Sequence, residues 1–144
     1  MEPLLLTSSF IFGREIMTQT VTSSTKNILG GVSSILEDEG FLFKRILKDY
    51  DLVSKVEVIN SYLNELSNEE VFKKKAIKIA IKNVLEILDK ISNEIKLIEL
   101  KIKHHKKLWF HKFRTPEYKF LLINLENDIR ILTERFDLLI KIKN

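Results

Sequence analysis

"AIKIAIKNVLEILDKISNEIKLIELKIKHHKKLW", residues 76–109, decides the architecture. Ile77, Ile81, Val84, Leu88, Ile91, Ile95, Ile98, Ile102, His105 and Trp109 follow one another at alternating steps of four and three residues. Steps of four and three return each side chain to one helical face, so this is a heptad seam. It runs 33 residues without a slip, roughly 50 Å of helix. The same pattern recurs as Tyr118, Leu122, Leu125, Ile129, Leu132, Phe136 and Leu139. Between the two lies "RTPE", where Thr115 suits an N-cap and Pro116 the first helical position. A short connection between two such helices predicts an antiparallel hairpin, 69–113 against 116–143. Matching the seams outward from a tight turn sets Ile102 against Leu125, Ile95 against Leu132 and Leu88 against Leu139. The long helix then overhangs over residues 71–83, where residues 52–66 can pack.

Working outward, residues 41–66 read as a further helical segment with a break near "KDYD", and Ser67 or Asn68 offers an N-cap for the long helix. Acid-then-base pairs four residues apart recur, as in Glu69–Lys73, Glu86–Lys90, Glu99–Lys103, Glu126–Arg130 and Asp137–Lys141. Such pairs mark solvated outer faces. All four Gly precede residue 41, so strand-turn punctuation is missing from the last hundred residues. The fold class expected is all-α: a helical bundle built on a long antiparallel coiled-coil hairpin, with an amphipathic N-terminal helix. Ile at both seam positions favours more than two helices. Either the remaining segments complete a bundle or chains associate.

Composition divides the chain. Residues 1–36 carry eleven Ser or Thr and four charges; residues 37–144 carry six Ser or Thr and forty charges. An N-terminal arm, 1–36, is therefore set apart from a charged helical body, 37–144. Within the arm, "MTQTVTSSTKNILGGVSSIL" (residues 17–36) has apolar residues at helical spacing and Lys26 as its one charge. Met17, Val21, Ile28, Leu29, Val32, Ile35 and Leu36 share one arc, opposite a Ser, Thr, Asn and Gly face. Bulky apolar groups backed by small hydroxylic ones resemble a lipid-packing-sensor helix, which binds by inserting into membrane defects. The same pattern also suits a fourth wall of the bundle, or a partner protein. Phe10 and Phe12 add aromatic anchors to either reading.

The hairpin tip is basic and aromatic. Lys101, Lys103, Lys106, Lys107, Lys112 and Arg114 interleave with Trp109, Phe110 and Phe113, and no acid lies between Glu99 and Glu117. This composition suits an anionic partner: lipid headgroups, or nucleic-acid phosphates with the aromatics stacking on bases. Closure of the hairpin end is the purely structural reading. His104 and His111 share a helical face, but zinc takes three or four ligands and no Cys or acid joins them. No metal, cofactor or small-molecule substrate is expected.

Catalytic signatures are missing: the chain has no Cys, no phosphate-cradling glycine loop, no H-E-x-x-H and no G-x-S-x-G. The seam is aliphatic and the acids read as surface partners of Lys. No run of about twenty apolar residues suggests a membrane-spanning helix. The tail "ENDIRILTERFDLLIKI", following "KHHKKLWFHKFRTPEY", resembles the ends of uncharacterised helical proteins of large AT-rich DNA viruses of eukaryotes, over about the last seventy residues. The resemblance implies a virus-encoded structural or host-interaction protein, in the virion or the infected cell. The expected function is a non-enzymatic interaction module, intracellular, cytoplasmic or peripheral on a membrane. Membrane-surface association through the arm and tip leads. A structural or adaptor coiled coil that homo-oligomerises or binds a partner protein is the alternative, and nucleic-acid binding by the tip is third.

Overall fold

The computed structural model describes residues 13–38, 41–108 and 118–144. Five α-helices occupy them: α1 (Arg14–Asp38), α2 (Phe41–Tyr50), α3 (Leu52–Leu66), α4 (Lys75–Lys106) and α5 (Lys119–Lys143), with a 3-10 turn at Glu70–Lys73 between α3 and α4. The chain is all-α, as the seams predict.

Polar contacts fix the topology. Arg14 at the start of α1 donates to Asn68 Oδ1 at 2.9 Å, just past α3. Lys143 at the end of α5 lies 3.7 Å from Glu69. The starts of α1 and α4 and the ends of α3 and α5 therefore share one pole. α1 packs against α4 and α3, and α5 packs against α4. Tyr62 of α3 meets Phe136 of α5 edge to face at 5.3 Å, and Lys55 donates to Thr133 Oγ1 at 2.9 Å. Around the bundle the order is α1, α4, α5, α3, so α3 and α4 stand diagonally opposed. α2 packs on α1, α3 and α5.

Local chemistry explains the joints. The break expected near "KDYD" falls at Asp51, whose φ of 50° and ψ of 48° are left-handed. Asp tolerates that conformation better than most side chains. Ser67 ends α3 instead of starting α4: its Oγ donates to Asn64 O at 2.7 Å. The long helix begins at Lys75, not 69. The intervening residues cross the diagonal, and Phe72 buries itself under that pole with Lys78 Nζ 5.4 Å from its ring centroid.

Every described member of the long seam is buried, from Ile77 to His105, and Ala80, Leu85 and Ile87 are buried beside them. The buried arc is wider than a two-helix seam because α4 faces both α1 and α5. Trp109 and the Thr115–Pro116 turn lie outside the described residues. Tyr118 at the N-cap of α5 is buried, as are Leu122, Leu125, Ile129, Leu132 and Leu139 on the helix, and Phe136 is half-buried.

The hairpin register differs from the tight-turn expectation. Lys90 Nζ reaches Asp128 Oδ1 at 3.4 Å, Glu94 contacts Asp128, and Arg135 donates to Asn83 O at 2.7 Å. These contacts place Ile95 level with Leu125 and Leu88 with Leu132, about one heptad from the pairing expected. Described helix stops at Lys106 and resumes at Lys119. A slip of seven residues keeps every seam position facing in, so hydrophobic pattern alone cannot reject it. One consequence is that α5 reaches the start of α4 and covers the stretch expected to overhang.

Candidate functional site

The near-uncharged arm has a structural explanation. Met17, Val21, Ile28, Val32 and Ile35 are buried in the common core; Leu29 is half-buried and Leu36 is 36% exposed. Phe10 and Phe12 lie outside the described residues. The apolar arc is thus covered by α3 and α4, and α1 is the fourth wall of the bundle. Its small-residue side permits close approach. A Cβ at Gly31 would collide with Cγ2 of Ile95, whereas one at Gly30 would meet nothing. Ser24 and, from α4, Ser92 are buried near this crossing. Beside it α1 and α4 line a polar cleft of about 580 Å³, where Ser23, Asn27 and Gly30 face Asp89, Asn93 and Lys96.

The basic tip is described only in part. Lys101, Lys103, Lys106 and Lys107 are exposed at the end of α4. Lys103 lies 3.2 Å from Glu99, the i,i+4 partner read from the sequence. Cations in the last turn also offset the partial negative charge of a helix C-terminus. Trp109, Phe110, Lys112, Phe113 and Arg114 fall outside the described residues, as does His111. His104 is exposed and His105 sits buried in the seam. Among the described residues no group of three or more potential ligands could hold a metal ion.

Sequence reasoning missed one polar constellation. Glu94 and Asp128 are buried between α4 and α5, 8% and 1% exposed. The expectation that acids sit with Lys on outer faces fails for these two. Lys90, read as the partner of Glu86, reaches Asp128 instead, and Glu86 lies 4.0 Å from Lys82. Burial, above all, pushes the Glu94 carboxyl up to about 8; the hydrogen bond and negative charge of Asp128 add to this and Lys90 opposes it. The available signal was positional. Glu94 and Asp128 each immediately precede a seam residue, Ile95 and Ile129, on the flank that a neighbouring helix covers.

The outward side of the hairpin carries exposed apolar residues. Ile79 and Leu97 of α4 are 43% and 48% exposed; Phe120 and Leu138 of α5 are 83% and 54% exposed. Each pair is separated by five full helical turns and so shares a face. In the observed register Leu97 lies level with the Phe120–Ile123 turn, and Ile79 with Leu138–Ile142. Two apolar patches thus stand at opposite ends of one surface.

These features define an all-α bundle with exposed apolar patches and a buried pair of carboxyls. The chain is similar to an uncharacterised protein, L717, of Acanthamoeba polyphaga mimivirus: 29% identical over 148 residues, spanning 85% of this chain and 72% of that protein. The likeness to a giant-virus protein agrees with the resemblance in the tail. No family profile matches the chain, and no solved structure matches it. Among the described residues no helix is long and apolar enough to cross a membrane.

Proposed function

We propose that the chain is a non-enzymatic structural module that associates with a second copy of itself through the outward side of the α4–α5 hairpin. The supporting observation is the placement of apolar surface. The arm's apolar arc is spent inside the bundle, while the hairpin leaves Phe120 83% exposed on a surface with two separated patches. A two-fold axis across the middle of that surface lays each patch on the other, the self-complementarity that an isologous dimer requires. Exposed apolar clusters rimmed by polar groups mark such contacts.

Sedimentation equilibrium of the full chain over a wide concentration range tests this. The wild type is expected to dimerise. Phe120→Asp and Leu138→Asp are each expected to shift it to monomer while leaving its helix content unchanged, because both side chains are exposed. A wild type that stays monomeric throughout overturns the reading.

A second reading is association with an anionic membrane surface through the hairpin pole. The exposure of Lys101, Lys103, Lys106 and Lys107 together favours it. Co-sedimentation with anionic and with neutral vesicles separates the two. Binding to anionic vesicles alone, lost on neutralising Lys106 and Lys107, supports the pole; binding to neutral vesicles would instead implicate the arm and an opened bundle.

A further inference from the structure

We infer that Glu94 and Asp128 form an acid-side latch, in which one proton shared between the two carboxyls clamps α4 to α5 and its loss above neutral pH loosens the hairpin. Two ionised carboxylates only accept hydrogen bonds, so they cannot bond to each other. Drawn that way, Glu94 Oε1 and Asp128 Oδ2 are buried with no hydrogen-bond partner. A proton on one turns the contact into an O–H···O⁻ bond, the strong charge-assisted kind. Like charges this close do not both ionise readily.

The charged groups facing Glu94 are Asp128 from α5 and Lys90 from the preceding turn of α4. Lys90 lies 3.4 Å from Asp128, and its side chain is 62% exposed. It offsets one negative charge of the pair, which leaves the second uncompensated if the proton departs. The geometry therefore selects one proton for the pair, with Glu94 neutral and donating and Lys90 beside Asp128.

The direction of the pH effect follows. Glu94 has a folded value of about 8 against 4.5 for the free group. A raised folded value gives stability that is complete below the unfolded value and is lost as pH rises through the folded one. The bundle is most stable in acid and weakens across neutrality, reaching a floor above about pH 8. Overall charge acts the other way. The chain is net +4 with a pI near 9.2, so general repulsion relaxes as pH rises. The two effects differ in sign over the same window.

Urea unfolding of the full chain at about pH 5.5 and about pH 8.5 distinguishes them. The folding equilibrium constant is expected to be lower at the higher pH, as linkage to a raised Glu94 value requires. Glu94→Gln carries an amide that donates to Asp128 at every pH, and its profile is expected to be flat or to rise. Asp128→Asn removes the neighbouring charge and is expected to move the fall to lower pH. A wild type equally or more stable at the higher pH overturns the latch, as does a Gln variant that keeps the wild-type slope. Should the Gln variant not fold, an Asp128→Asn profile superimposable on the wild type overturns it equally.

Discussion

Gly31 of α1 meets Ile95 of α4 with no room for a β-carbon between them. This contact sets how closely the first wall of the bundle approaches the long helix. It also explains why a chain rich in long charged side chains uses glycine and hydroxylic residues here. A Lys or Glu at this crossing would hold the two helices apart.

The neighbouring glycines are therefore expected to respond oppositely. Gly31→Ala forces Ile95 or the backbone to move and is expected to cost about 1–3 kcal/mol, the usual range for overpacking. A Cβ at Gly30 meets open space, and Gly30→Ala should stabilise by about 0.8–1.0 kcal/mol through helix propensity. Chemical denaturation of both variants checks the pair. Equal shifts of the same sign would show that the crossing is looser than described.

Ile28 and Val32 report whether the arm belongs to the core. Both are buried, at 0% and 3% exposure. Ile28→Ala is expected to cost about 2–5 kcal/mol, as for large-to-small changes in packed cores. Ile28→Asp buries a charge without a partner and is expected to abolish cooperative unfolding, with loss of the thermal transition followed by circular dichroism. A surface-adsorbing arm would instead leave the melting curve unchanged.

Asp51 is the sole non-glycine residue with positive φ among those described. Its left-handed conformation turns α2 into α3. Branched side chains are poorly tolerated there, so Asp51→Val is expected to destabilise by about 1–2 kcal/mol. Asp51→Gly should retain stability close to the wild type, since glycine adopts this region freely. Thermal melts of the two variants decide; if Val is as stable as Gly, the turn has another conformation.

Much of the architecture was legible because it rests on periodicity. The Ile77–His105 run, the Tyr118–Leu139 run and the break before Leu52 are local patterns that a helix makes explicit. The arm's apolar arc was equally clear, yet the pattern fits a lipid surface and a bundle wall alike. Only the neighbours of Ile28 and Gly31 distinguish them. The Glu94–Asp128 pair was hidden for a related reason. Acids in a chain so rich in Lys read as solvated, and their burial depends on which helix comes to lie over them. Phe72 shows the same limit, since its burial follows from a diagonal crossing that no local rule specifies.

The heptad slip in the α4–α5 register bears on how the chain reaches its native state. Aliphatic seams of period seven offer nearly equivalent ways to zip up, one turn-pair apart, and each buries similar apolar surface. What separates them is the small set of polar contacts that match in one alignment only: Lys90 and Glu94 on Asp128, and Arg135 on Asn83 O. In a hairpin slipped by one heptad Asp128 would meet neither Lys90 nor Glu94. These contacts therefore distinguish one alignment from the others, and a variant lacking them is expected to hold the native register less strictly.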